Sequence, residues 1–494
     1  MLKEQTSGLG ATAVRGAFAS MSGQVFRGAV QLLSVVILVR LLSPQDYGLL
    51  ALTGVVIGIG EIFRDFGLST AAVQARTLSP QQRSNLFWIN TGIGLVLALA
   101  AFVTAPLLAD LFGQPEFTPV MRALCPVFLA NGAGTQYRAS LERELRFGQV
   151  ARADAVSPAV GLVVAIVMAL AGFGVWALVV QQLVGAAVML AMLVAAAPRW
   201  LPLPYRRGTD MDGMIRIGGD MVGTQLIGYL ANNADTVVIG YRLGAAPLGL
   251  YNRAFQLLMQ PYNMVRTPLT RVALPVLAKL QDETERYARY VAVGQLGLGY
   301  TVALGLALVA GASEPLVRVL LGASWMPAAP LLMYLAIAAA FQTLSLVAYW
   351  VYVTRGLTSY LVLYSVISAV IKVACVLVGS QFGLNGVAAG YALAPIISWP
   401  ISFWWLSRRA VLPLRQLYLG AGRIVLVGLA GGVVTRLVCD LLAGTHPVVP
   451  LLLGPLAGLG AAGVLVAVFP FLRSDVRSLV GMVALLRRER AVPA

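Results

Sequence analysis

The sequence is poor in charge and in the side chains that carry chemistry. Only 11% of its 494 residues are charged, and there is one histidine. A soluble domain carries about 25% charged residues, so a soluble globular chain is excluded. The three cysteines, Cys125, Cys375 and Cys439, lie far apart and form no CxxC pair. That excludes a disulfide framework and a cysteine zinc site, and each is read as a core cysteine. There is no GxxxxGK[ST] loop, so ATP hydrolysis by this chain is unsupported. His446 stands alone in a short loop, so no metal site, cofactor or catalytic centre is expected and the chain is not read as an enzyme. The start, "MLKEQTSGLGATAVRGAF", lacks an apolar core followed by a cleavage site. The first apolar segment is therefore expected to be a retained span.

What is abundant is apolar length. The chain is 59% hydrophobic with a mean hydropathy of +0.82. Runs of roughly twenty apolar residues recur, each long enough to cross a bilayer core of about 30 Å. The pattern predicts an all-α, polytopic membrane protein with about fourteen transmembrane helices. They are expected at 18–41, 47–68, 86–110, 118–140, 151–172, 175–197, 214–240, 247–275, 289–313, 326–349, 357–379, 384–406, 419–441 and 448–471. The net charge of +16 does not point to nucleic acid. Arginine and lysine collect in every second loop, with Arg40, Arg122, Arg242 and Arg318 as exceptions near helix ends. The positive-inside rule then puts both termini in the cytoplasm, which requires an even helix count.

The chain repeats itself. "VILVRLLSPQDYGLLAL" (Val36 to Leu52) is echoed by "VVIGYRLGAAPLGLYNRA" (Val237 to Ala254) at an offset of about 202. "APLLADLFG" matches "EPLVRVLLG", Arg146 matches Arg355, and "GFGVWA" matches "QFGLNG", all at an offset of 209. Helices one to six therefore correspond to seven to twelve. Six is even, so the halves share one orientation: a parallel repeat about an axis along the membrane normal, suited to alternating access. The expected domains are an N-lobe (1–197), a cytoplasmic linker (198–213), a C-lobe (214–410), two extra helices (411–472) and a basic cytoplasmic tail (473–494).

"VRLLSPQDYGLLAL", "RFGQVARADAVSPAVGLVVAIVMALAGFGVWALVVQQLV" and "NNADTVVIGYRLGAAPLGLYNRAFQLL" together resemble the polysaccharide transporter (Wzx-type flippase) branch of the MOP superfamily. More narrowly they resemble its lipopolysaccharide and exopolysaccharide members, over about residues 10–470. The resemblance implies an oligosaccharide on undecaprenyl diphosphate, moved from the inner to the outer leaflet of a bacterial inner membrane. It also implies membrane lipids as surroundings, polymerase and chain-length regulator proteins as partners, and two lobes around an electropositive cavity. Two neighbours stay open: a lipid II flippase, and a MATE-like drug exporter, against which the cationic interior and the extra helix pair speak.

Charges inside spans are costly and tend to face cavities, so each is a candidate. Gln24, Arg27, Gln31 and Ser34 recur on one face of the first helix. Arg27 is the best diphosphate candidate, since guanidinium pairs well with phosphate oxygens; a polar helix contact is the alternative. Glu61, Arg64 and Asp65 share a face, as a substrate contact or a structural ion pair. Asp220 and Asp235 lie about four turns apart on one helix. Glu61, Asp220 and Asp235 are candidates for ion coupling, with pairing of Asp235 to Arg253 or Arg27 as the alternative. Arg253, Gln256, Gln260 and Asn263 form a second polar stripe, and Lys372 is isolated in an apolar span. Arg253, Gln256 and Lys372 complete the cavity set with Gln24, Arg27, Gln31 and Arg64.

Overall fold

The computed structural model describes residues 28, 30, 31, 33–65, 79–197, 200–207 and 212–491, and among them there is no strand. After the helical stretch 33–39 the helices are α1 (Pro44–Asp65), α2 (Pro80–Phe112), α3 (Phe117–Arg143), α4 (Phe147–Leu170), α5 (Val175–Ala196), α6 (Asp212–Arg242) and α7 (Ala245–Lys279). Then come α8 (Thr284–Leu298), a π turn (Gly299–Ala303), α9 (Leu304–Gly311), the short α10 (Ser313–Leu320), α11 (Ala329–Thr354), α12 (Thr358–Gly379) and α13 (Gly383–Ser407). The last three are α14 (Leu414–Leu441), α15 (Val448–Val468) and α16 (Pro470–Ala491). Among the described residues, nine stretches are long and apolar enough to cross a bilayer, and one of them, Thr358–Ser407, contains both α12 and α13. The helices α3, α6 and α7 fall outside those nine because they carry more polar residues. They hold several of the candidate site residues.

The helix starts follow from local chemistry. Ser79 caps α2 by accepting from the Gln82 amide while the Gln82 side chain accepts from the Ser79 amide, and Pro80 takes the first helical position. "SPQD" at α1 repeats the arrangement: Asp46 Oδ2 accepts from the Ser43 amide at 2.9 Å, and the Asp46 amide donates to Ser43 Oγ at 3.3 Å. Both are capping boxes with proline at N1.

The chain divides into two compact units, Met1–Asn252 and Arg253–Ala494. In the first, α2 packs on α3, α3 on α5, and α4 on α5. In the second, α9 packs on α11, α11 on α13, and α12 on α13, which is the same pairing order. The turns match as well. Gly113 and Gly322 both take positive φ (62° and 98°), as do Gly174 and Gly383 (55° and 75°), at the repeat spacing of the sequence. At the end of α3 the register shifts by two. Leu145 (φ 56°) is there the counterpart of Gly356 (φ 68°), so Arg146 and Arg355 are not geometric equivalents.

The echoed motifs pack against each other within the first unit. A Cβ on Gly48 would overlap the Ala245 carbonyl, and a Cβ on Gly249 would overlap the Pro44 carbonyl. Membrane helices associate through such close backbone approach at small residues. Around the crossing Tyr47, Leu49, Leu52, Leu248 and Tyr251 are all buried.

The described part of the linker is strapped to α2. Ser84 Oγ accepts from the Leu203 amide at 3.0 Å, and Trp88 Nε1 donates to the Leu203 carbonyl at 2.8 Å. Asn85 pairs with both backbone groups of Arg206, at 3.0 and 2.8 Å. Trp200 lies under the Arg83 guanidinium at 4.0 Å and against Tyr137 at 4.7 Å. These bonds satisfy an extended backbone that has no strand partner. One difference from the sequence reading is at the end of the chain. The expected basic tail is helical, with α16 running from Pro470 to Ala491.

Gly48→Ala and Gly249→Ala should each lower stability by about 3 kcal/mol, the upper range of overpacking, because the obstacle is backbone. Thermal unfolding in detergent checks this against Gly54→Ala, whose Cβ would meet nothing within 4 Å. Equal effects at all three positions would contradict the crossing.

Candidate functional site

Polar groups inside the helices gather separately in the two units. In the first, Asp235 on α6 is only 2% exposed, and its Oδ2 accepts from the Tyr251 hydroxyl at 2.6 Å. A buried carboxylate needs donors of this kind. On α1, Glu61 is exposed and accepts from Asn131 Nδ2 of α3 at 3.2 Å. Tyr229 of α6 donates to the Gly54 and Val55 carbonyls of α1, at 3.3 Å each. The Tyr229 side chain occupies the space that a Cβ on Gly58 would fill. Asn233 Nδ2 donates to the Tyr229 carbonyl at 2.9 Å. The carboxylates of this unit are thus held by a phenol and an amide.

In the second unit the candidate charges are cationic. Arg253 on α7 is 7% exposed, and Gln256 one turn later is half-buried. Lys372 on α12 is half-buried, with Nζ 5.8 Å from the centroid of Tyr391 on α13. Tyr391 in turn meets Phe255 of α7 edge-on, at 5.9 Å and 86°. Three helices therefore converge at Phe255, Lys372 and Tyr391. An ammonium over an aromatic face keeps favourable electrostatics away from bulk water. An arginine and a lysine partly or fully buried among these helices suit a diphosphate, one through bidentate hydrogen bonds and the other as a compact charge.

Gln31 is exposed, and Ser34 on the same helix accepts from Gln181 Nε2 of α5 at 3.1 Å. Gln24 and Arg27 lie outside the described residues. Arg64 and Asp220 lie in α1 and α6, but their side chains are likewise outside the description. So the structure brings Lys372 to the α7 stripe through Tyr391 and Phe255, and it gives Asp235 a hydroxyl donor.

Sequence reasoning missed the aromatic partners Tyr229, Tyr251, Phe255 and Tyr391. Their only signal is an aromatic inside a polar-bearing span, and interface belts produce the same signal. It also missed Asn90 on α2 and Gln136 on α3. Both are buried, and both Asn90 amide atoms and Gln136 Nε2 lack a hydrogen-bond partner. A separate apolar cavity of about 280 Å³ lies between α9, α11 and α14, lined by Ala307, Gly311, Phe341, Gly428 and Gly432. Its one charged liner, Arg436, is already paired with Glu314 at 2.7 Å and Asp440 at 3.0 Å. That cavity offers nothing to a diphosphate, and none of the candidate residues lines it.

An all-helical, multi-pass membrane protein with ionisable side chains buried within its helices, Asp235 and Arg253 among them, is the class that fold and site define. The solved structure of the lipid II flippase MurJ in an inward closed conformation shares this fold, with a TM-score of 0.69 at 13% identity. The match covers 92% of this chain and 99% of that one. Residues 37–330, more than half of the chain, match the family described as polysaccharide biosynthesis protein, and the chain belongs to that family. Among its relatives is the lipopolysaccharide biosynthesis protein WzxC of Escherichia coli K12, 25% identical over 382 residues and 76% of each chain. Another is the succinoglycan biosynthesis transport protein ExoT of Rhizobium meliloti, 28% identical over 317 residues, 64% of this chain and 63% of the relative. The resemblance read from the sequence motifs is borne out.

Tyr251→Phe removes the hydroxyl that Asp235 accepts from. A lost hydrogen bond to a buried charge should cost about 1.5–3 kcal/mol, read as a lower midpoint of thermal unfolding. An unchanged midpoint would remove Tyr251 from the support of Asp235.

Proposed function

We propose that the protein is a flippase for lipid-linked oligosaccharide. It moves repeat units carried on undecaprenyl diphosphate from the inner to the outer leaflet of the bacterial inner membrane, for O-antigen or exopolysaccharide assembly. The observation that carries this reading is the cation set of the second unit: Arg253, 7% exposed, and Lys372 against Tyr391. Cations buried within the helices of a membrane protein are costly and tend to mark a substrate pathway. The diphosphate is the part of a lipid-linked sugar that most needs such a visit. Membership of the polysaccharide biosynthesis family and similarity to WzxC and ExoT support the same substrate class.

The six-helix repeats, residues 1–197 and 214–410, provide the alternating access, with both termini in the cytoplasm. Arg27, Gln24, Gln31 and Arg64 join Arg253, Gln256 and Lys372 in contacting the substrate. Glu61, Asp220 and Asp235 are the groups through which a coupling ion would act. A polymerase and a chain-length regulator take over the flipped unit. A drug exporter for cationic compounds would put carboxylates where Arg253 and Lys372 stand.

In a knockout strain complemented with variants, Arg253→Ala and Lys372→Ala should each cut surface polymer about tenfold or more, the loss of one charge-assisted bond. Expression should stay normal, and Lys372→Arg should retain most of the output. Full polymer from both alanine variants would contradict the cation site.

A further inference from the structure

The last span continues into a helix that the transport site does not use. α15 ends at Val468 after 21 residues, and α16 begins at Pro470. A span of that length just crosses the apolar core, so the junction falls at headgroup level. Phe469 and Phe471 meet there at 5.4 Å, each 39% exposed, as interfacial aromatics do. Arg473 turns back, its Nε donating to the Ala467 carbonyl at 2.6 Å, a cation at the C-terminal end of α15.

One wall of α16 is locked to the protein. Leu472 and Asp475 are buried. The Asp475 carboxylate accepts from Arg423 Nη1 of α14 at 2.7 Å and from the Tyr300 hydroxyl at 3.1 Å. Tyr300 lies in the π turn Gly299–Ala303. This pair, buried on the Asp475 side and half-buried on the Arg423 side, ties the first turns of α16 to α14. With its first turns fixed, α16 presents Arg473 and Arg477 outward, both exposed. The sequence adds Arg487, Arg488 and Arg490 in the last two turns. The acids of α16 are Asp475, which faces Arg423, and Glu489.

We infer that α16 is a binding surface for the anionic phospholipid headgroups of the surrounding bilayer, held in register by the Asp475 lock. Charge complementarity selects this occupant. Five arginines follow directly on a membrane exit, and one of the two acids among them is neutralised inside the protein. A zwitterionic headgroup gives these arginines little, whereas an anionic surface strengthens binding about fivefold per arginine. The inference does not depend on what the protein transports.

The test is thermal unfolding of the full-length protein in detergent, titrated with phosphatidylglycerol or with phosphatidylcholine. Phosphatidylglycerol should raise the midpoint and phosphatidylcholine should not. The variant carrying Arg477→Gln, Arg487→Gln, Arg488→Gln and Arg490→Gln should keep its lipid-free midpoint. It should need several hundredfold more phosphatidylglycerol for the same shift, about fivefold for each of the four arginines. High salt should weaken the wild-type effect in the same direction. Equal stabilisation by the two lipids, or an unchanged titration in the variant, overturns the inference.

Discussion

Two carbonyls occupy the places where Gly48 and Gly249 would carry side chains, and much of the first unit is arranged around that contact. Apolar helices gain little from burying apolar surface inside a bilayer, because lipid is as apolar as leucine. They gain from close packing, and packing this close requires glycine on both sides. The crossing sets the start of α1 against the start of α7. From there α1 runs back along α6, which puts the Tyr229 hydroxyl on the carbonyls of Gly54 and Val55. The same region closes over Tyr251 and hence over Asp235. The echoed motif is thus both a trace of duplication and a working contact.

On this scaffold the described candidate residues of the two units differ in the sign of their charge. The described candidates of the first are Glu61 and Asp235, and those of the second are Arg253 and Lys372. Duplication alone would give both halves the same chemistry. A carrier for an anionic lipid needs cations to receive the diphosphate, and carboxylates can serve a different step. The support for each charge is drawn from neighbouring spans: an amide for Glu61, a phenol for Asp235 and an aromatic ring for Lys372.

Most of the fold was legible in the sequence because membrane spans are constrained by length and hydropathy. The span expected at 175–197 is Val175–Ala196, and that expected at 357–379 is Thr358–Gly379. Helix starts such as Ser79–Pro80 lay several residues ahead of the apolar run, since capping groups are polar and hydropathy does not register them. The C-terminal helix was read as a tail because Pro470 and its arginines hide a buried wall of Leu472 and Asp475. The site was legible only as isolated charges. Arg253, Asp235 and Lys372 announce themselves by their cost in an apolar helix. Tyr251 and Tyr391 do not, because a partner sixteen or more residues away leaves no local period. The strapped linker was equally hidden: its bonds run from side chains of α2 to backbone atoms, and the acceptors and donors on a backbone carry no residue signature.

The central claim is that this chain moves a lipid-linked sugar across the bilayer, and the leaflet position of that lipid tests it most directly. In a strain lacking the chain, undecaprenyl-diphosphate-linked repeat units should accumulate in the inner leaflet, inaccessible to a probe added from outside. Complementation with the wild-type chain should return them to the outer leaflet and restore surface polymer. If the units reach the outer leaflet at the normal rate without the chain, the account is wrong.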